Sequence, residues 1–228
     1  MLRCRNHIVI ALANLVWILL VHEVTAAQSF SFGVKGGMGL TNTVDVSFNY
    51  TSADKRYTVG PTVEIGLPLS FAVEVSALYR RTGYDTADGL YNMFTDQRVR
   101  ANSWEFPITL KYYIPLKHFP VKLHMSGGYV LRNLSGASNV IHSYGYDYQT
   151  GAPYDNTYHG ATTYLPWVNP THGVTAGGGL RLNMGFLRIS PEIRYTRWSG
   201  VPFQQAGPYG SFAQSTQNQL DLLVGLTF

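Results

Sequence analysis

The chain has 228 residues, a formal net charge of +4, 13% charged side chains, 23 Gly, 16 Tyr and a single Cys. So weak a positive charge excludes an electrostatic binder of nucleic acid, and one cysteine excludes a disulfide scaffold or a thiolate metal site. The length suits one domain, and low charge with abundant Tyr and Gly departs from the composition of an ordinary soluble enzyme.

The chain opens with Arg3 and Arg5, an uncharged apolar run from Ile8 to Val21, and then Thr25-Ala26-Ala27. This three-part layout predicts a cleaved secretory signal peptide over residues 1–27, leaving 28–228 as the mature domain. The apolar run is shorter than the roughly 18 residues that cross a bilayer as a helix. Cys4 precedes it, so the mature domain would hold no cysteine.

From Phe30 onward the sequence alternates with period two, the signature of strands. A first strand places Phe30, Phe32, Val34, Met38 and Leu40 against Ser31, Gly33, Lys35 and Gly39, and a polar segment follows from Thr41 to Lys55. The second strand, Tyr57 to Leu67, turns at Pro68 directly into a third, Leu69 to Arg80. After a predicted loop over Arg81 to Asn102 comes a fourth, Ser103 to Ile114, and Pro115 and Pro120 bracket a short turn. The fifth is Val121 to Arg132, and the longest predicted loop spans Asn133 to Thr171. A sixth strand, Val174 to Asn183, reverses at Gly185 into a seventh, Leu187 to Thr196. A loop from Ser199 to Thr216 leads to the eighth, Gln219 to Phe228.

Two regularities turn eight alternating segments into a fold. Long and short connections alternate, as in an up-and-down barrel with tight periplasmic turns and long extracellular loops. All five strand carboxylates, Glu64, Glu74, Glu105, Glu192 and Asp221, lie on the face opposite the apolar one, as do Lys35, Arg80, Lys111, Lys122, Arg132, Arg181, Arg188 and Arg194. In lipid that phase is required, because a charge on the lipid face near the midplane costs about 2–4 kcal/mol. A soluble barrel would put its apolar face inward instead. The expected fold is therefore all-β: an eight-stranded antiparallel up-and-down transmembrane β-barrel with a lumen plugged by charged side chains. Similar heights on the first and last strands predict Lys35 as the partner of Asp221; Arg80 is expected to face Glu105 near the outer rim.

The segments Gly33-Val34-Lys35-Gly36-Gly37, Val73-Glu74-Val75-Ser76-Ala77-Leu78-Tyr79, Trp104-Glu105-Phe106-Pro107, Lys111-Tyr112-Tyr113, Ser126-Gly127-Gly128, Ala176-Gly177-Gly178-Gly179 and Pro191-Glu192-Ile193-Arg194-Tyr195, with the terminal Phe228, carry a resemblance. The chain resembles the bacterial outer-membrane protein β-barrel domain family, the small PorT-like and OmpA-like barrels. The resemblance implies residence in the outer membrane, among its lipid and lipopolysaccharide. It also implies a C-terminal strand, with Leu226 and Phe228, read by the outer-membrane assembly machinery. It is nearly silent on activity, because a fold does not fix a function.

The third long loop carries Tyr144, Tyr146, Tyr148, Tyr154, Tyr158, Tyr164 and Trp167, a candidate surface for an extracellular ligand. Lys55, Arg56, Arg80, Arg81, Arg98, Arg100, Arg132 and Arg197, in loops or near outer strand ends, are candidates to hold lipopolysaccharide phosphates. His172, with Ser103 or Ser199 and a loop acid, is the one arrangement that would suit an enzyme modifying outer-leaflet lipid, but no catalytic motif surrounds it. No cofactor or metal is called for: His118, His124, His142 and His159 lack ligand spacing. The expectation is a monomeric structural or surface-binding component that is no enzyme, with a lipid-modifying enzyme and a narrow pore as the alternatives.

Overall fold

The structure is a computed structural model that describes residues 29–42, 44–46, 50–52, 56–90, 93–115, 121–147, 149–161, 171–200, 204–206 and 212–228. The expected leader, Lys55, His118, Tyr148, Tyr164 and Trp167 lie outside the described residues. Aromatic and β-branched residues alternating with Gly, Ser, Thr and charges suit a pleated surface with two unlike faces. They form β1 (Phe30–Gly39), β2 (Val44–Val46), β3 (Tyr50–Ser52), β4 (Tyr57–Gly66), β5 (Phe71–Ser76), β6 (Leu78–Leu90), β7 (Met93–Pro115), β8 (Val121–Tyr146), β9 (Pro153–Ala161), β10 (Thr171–Met184), β11 (Leu187–Trp198), β12 (Gln204–Ala206), β13 (Phe212–Ser215) and β14 (Asn218–Thr227).

Neighbours pair antiparallel around a closed ring. β1 pairs β4, β4 pairs β5 and β6, both of these pair β7, and the ring continues through β8, β10, β11 and β14 back to β1. The third stave is interrupted at Ala77, between β5 and β6, so the ring has eight staves, as the sequence predicts. Closure satisfies every stave's hydrogen-bonding edges, which lipid demands.

Alternation along the staves is inside out relative to a soluble protein. In β14, Gln219, Asp221, Leu223, Gly225 and Thr227 are buried while Leu222, Val224 and Leu226 are exposed. Val34, Val59, Val75, Ile108, Leu110, Val174 and Ile193 are likewise exposed on the outer wall. Aromatic side chains gather at its two ends. Phe32, Phe186 and Phe228 cluster at the periplasmic end, with ring centroids 6.2 and 6.4 Å from Phe228. Tyr57, Tyr79, Trp104 and Phe106 form a chain of ring contacts at the other. Two girdles around an apolar band are the mark of a wall that faces lipid. Ile108, 53% exposed between Phe106 and Tyr112, tests that assignment. In lipid vesicles Ile108→Arg is expected to lower the stability to urea by about 2–4 kcal/mol. At so exposed a position in water it would stay within about 0.5 kcal/mol, and that result would contradict the assignment.

Two of the three expected short turns are seen, the first with Leu69 and Ser70 in the turn rather than in the third strand, and the third, over 116–120, lies outside the described residues. Gly185, at φ +67°, reverses β10 into β11, and Leu69 and Ser70 adopt φ of 60° and 66° between β4 and β5. Two successive left-handed residues give the hairpin turn whose twist matches the strands.

The long connections differ from expectation. Arg81–Asn102 and much of Asn133–Thr171 are strand rather than loop, because β6, β7 and β8 continue past the girdle and β9 adds to the edge of β8. A spanning strand needs about 9–11 residues, whereas β7 has 23 and β8 has 26. A register shift between Asn102 and Ser103 marks where barrel becomes free sheet. Beyond it β3, β6, β7, β8 and β9 form an extracellular sheet. At roughly 3.3 Å per residue, Met93 to Ala101 extend it by on the order of 30 Å. A separate small sheet joins β12, β13 and β2.

Candidate functional site

Ten of the charged side chains that the sequence assigns to the lumen are buried there: Lys35, Glu64, Glu74, Arg80, Glu105, Lys111, Arg181, Glu192, Arg194 and Asp221. They sit in two tiers. The lower tier centres on Glu74, which accepts from Lys35, from Lys111 at 2.5 Å and from Arg194 at 3.1 Å. Lys35 and Arg194 also reach Glu192, at 3.1 and 2.7 Å. Glu64 takes Lys111 at 3.3 Å, Arg181 at 2.5 Å and the Tyr113 hydroxyl at 2.8 Å. In the outer tier Arg80 lies 2.8 Å from Glu105 and 2.7 Å from Asp221, and Arg132 donates to Glu105 at 2.8 Å.

The expected pairing of Lys35 with Asp221 is not what forms. In the β1–β14 register Lys35 lies opposite Gly225, and Asp221 lies opposite Gly39, nearer the outer end. Each therefore finds a partner across the lumen, Asp221 in Arg80 and Lys35 in Glu74 and Glu192. The facing pair Arg80–Glu105 forms as expected. Arg188 is half-buried at the periplasmic end and joins none of these pairs among the described residues, and Lys122 is exposed at the same end.

Three lumen residues were not singled out from the sequence. Trp198 is 2% exposed, its ring lies 3.6 Å beneath the Arg132 guanidinium, and its Nε1 donates to Gln219 at 3.1 Å. Gln219 in turn accepts from Arg132 and donates to Asp221 at 2.7 Å. His124 is buried beside the lower tier, with Nε2 3.8 Å from Glu192 and neither ring nitrogen hydrogen-bonded. The inward phase of β8 was the available signal for His124. Gln219 lay in the inward phase of the last strand, and Trp198 stood past the predicted end of the seventh.

The basic residues proposed for lipopolysaccharide divide. Arg80 and Arg132 are committed to the lumen. Arg100 pairs with Asp85 at 2.8 Å and Arg98, largely exposed, with the same acid at 3.5 Å. Arg56 donates to Asn42 at 3.1 Å and the exposed Arg197 to Asn218 at 3.4 Å.

The described loop tyrosines do not share one face. Residues directly opposite in a ladder point the same way, which puts Tyr144 and Tyr146 on the face of Asp155 and Pro153, and Tyr154 and Tyr158 on that of Gly145 and Ile141. On the first face Tyr144 stacks on Phe94 at 5.5 Å and on His142 at 5.0 Å, and His142 bonds Asp155 at 2.8 Å. Beside them a groove of about 490 Å3 runs between Asp85, Asp96, Arg98, His142 and Thr157. His172 faces outward with its ring stacked 6.0 Å from Tyr129, Ser103 is buried inside the barrel, and the Ser199 hydroxyl donates to the His172 carbonyl at 2.9 Å. Those three side chains do not converge on one another. Among the described residues no group of three His, Cys, Asp or Glu could hold a metal ion.

A search of curated proteins finds no match. Among solved structures, Neisserial surface protein A is similar with a TM-score of 0.44 at 11% identity, over 88% of this chain and 97% of that one. Ail of Yersinia pestis, in complex with the heparin analogue sucrose octasulfate, has a TM-score of 0.36 at 11% identity, over 88% and 99%. The N-terminal β-barrel domain of Pseudomonas aeruginosa OprF has a TM-score of 0.35 at 10% identity, over 88% and 99%. The family model described as "Outer membrane protein beta-barrel domain" matches residues 26–199. With that match over most of a chain whose charges turn inward and whose apolar band turns outward, the protein belongs to the outer membrane protein β-barrel domain family and is an integral barrel of the bacterial outer membrane.

Proposed function

We propose that the protein is a surface-binding component of the outer membrane: the plugged barrel is the anchor, and the extracellular sheet is the working part. The observation that carries this reading is the extension of β7 and β8 well beyond a spanning length, which lifts Phe94, Tyr144 and His142 clear of the membrane beside the groove at Asp85, Asp96 and Arg98. Stacked aromatic faces next to hydrogen-bonding acids and arginines suit an extracellular glycan, whose rings present flat apolar patches rimmed by hydroxyls. Vesicles bearing the protein should bind a subset of an array of bacterial and host glycans. Tyr144→Ala should weaken that binding about ten-fold or more, in line with a central aromatic contact. Binding indifferent to Tyr144→Ala and His142→Ala would refute the assignment of this face.

The same reading takes the lumen as a plug and the barrel as a monomer, with Leu226 and Phe228 as the assembly mark and residues 1–27 as a cleaved leader. Phe228 supports its part by donating its backbone N–H to Phe32 at 2.9 Å, at the closing seam.

A further inference from the structure

The lower tier is unbalanced. Lys35, Lys111, Arg181 and Arg194 share the carboxylates Glu64, Glu74 and Glu192, four cations against three anions among the described residues, whereas the outer tier matches Arg80 and Arg132 with Glu105 and Asp221. Uncompensated charge in a low-dielectric interior is costly. The surplus lies toward the periplasm, where Lys122 and Arg188 add positive charge, and Glu64 is the one Asp or Glu that lines the mouth with Lys122 among the described residues.

The register sharpens this. Arg181 and Lys122 are directly opposite each other on β10 and β8. Like charges facing across a strand pair repel, and of these two cations Glu64, bonded also to Lys111 and Tyr113, pairs with Arg181 and not with Lys122. Both side chains line a cavity of about 210 Å3 that opens at the periplasmic mouth beside the β4–β5 turn, together with Ser29, Ser70, Tyr113 and Glu64. That volume is several times the roughly 30 Å3 share of one liquid water. Arg181 is held over the Tyr113 ring at 4.4 Å, bonding Glu64 through Nη2 and Ser190 through Nε at 3.5 Å, so its Nη1 edge takes no part in these bonds.

We propose that the periplasmic mouth of the barrel is a binding site for a phosphate-class oxyanion, held between Arg181 and Lys122. A tetrahedral oxyanion there would accept charge-assisted hydrogen bonds from the guanidinium and the ammonium, with the Ser29 and Ser70 hydroxyls available to its remaining oxygens. It would cancel the surplus of the lower tier and relieve the Arg181–Lys122 repulsion. The site is at the opposite end of the barrel from the extracellular sheet, so its test does not depend on what that sheet binds.

The test is calorimetric titration of inorganic phosphate into the purified full-length barrel in zwitterionic detergent, in a buffer free of other oxyanions. Wild type should bind, and Lys122→Gln should weaken binding about ten-fold or more, the worth of one charged hydrogen bond. Lys122 is exposed and outside the ion-pair network, so this variant keeps the fold, which the gel shift on boiling checks; Arg181→Gln should lose binding as well. Wild type that takes up no phosphate, or a Lys122→Gln barrel that binds within three-fold of wild type, would overturn the site. Titration with glycerol phosphate separates the sources. Equal affinity assigns a phosphomonoester on a headgroup or polymer end, and binding of inorganic phosphate alone assigns the free ion.

Discussion

Glu74→Gln is expected to cost about 3–5 kcal/mol, the penalty for breaking a buried ion network from one side. Glu74 is 3% exposed and is the acceptor shared by Lys35, Lys111 and Arg194. The amide keeps the shape but leaves those cations with Glu64 and Glu192 alone, in a tier already short of negative charge. Removing a cation with the acid should cost less than the two changes made separately. Glu74→Met combined with Lys35→Met is therefore expected to fall short of the sum of the single variants by about 0.5–3 kcal/mol, the range of coupling between residues in contact. Urea unfolding in lipid vesicles, followed by the mobility difference between boiled and unboiled samples, reads both quantities. Strict additivity would mean that the lumen charges act singly and that the network is a coincidence of position.

Trp198→Ala is the second change expected to be severe, at about 3–5 kcal/mol for a buried aromatic truncated to a methyl group. Its consequence should differ in kind from that of Glu74. Trp198 is buried in the outer tier, supports the Arg132 guanidinium on its ring and holds Gln219 through Nε1. Its loss should leave the lower tier intact and open the outer one, so single-channel conductance in planar bilayers is expected to rise above that of the wild-type barrel. Conductance unchanged in Trp198→Ala would place the constriction at the lower tier instead. A wild-type barrel that already conducts as an open pore would contradict the plugged lumen itself.

How much of this was legible in the sequence follows from what period two can and cannot encode. Alternation assigns a side chain to one face, so the burial of Glu64, Glu74, Glu105, Glu192 and Asp221 was readable residue by residue. Height along the barrel axis is another matter, because it depends on the stagger accumulated around all eight staves. That is why Arg80 and Glu105, on paired strands consecutive in the chain, are matched correctly from the sequence, while Lys35 and Asp221, on strands that meet only at the closing seam, are not, and Lys35 pairs instead with Glu74 and Glu192 across the lumen. The extracellular sheet was read as loop for a related reason. Thr82 to Asp88 and Thr95 to Arg100 carry polar residues on both faces, so the apolar contrast that marks a lipid-facing strand disappears just where the chain leaves the membrane. The strand-forming Tyr84, Val99, Val140 and Ile141 were the remaining signal. Dividing the tyrosines between two faces needed the pairing of β8 with β9, which no local pattern specifies.

The seam between β1 and β14 makes the lumen charges matter for register. Every other adjacent pair of staves is consecutive along the chain, with β2 and β3, β9, or β12 and β13 intervening in three of them, but β1 and β14 come from opposite ends of the barrel sequence and no turn fixes their alignment. A slip of one residue would flip the apolar face inward and is self-correcting, but a slip of two residues preserves the alternation and leaves the lipid-facing wall unchanged. It would, however, move β1 by roughly 6.6 Å against β14, enough to carry Lys35 away from Glu192 on the far side of the seam. Hydrophobic patterning does not distinguish the observed register from that slip, whereas the Lys35–Glu192 contact does, so part of the information that fixes the seam lies inside the lumen rather than on the lipid-facing wall.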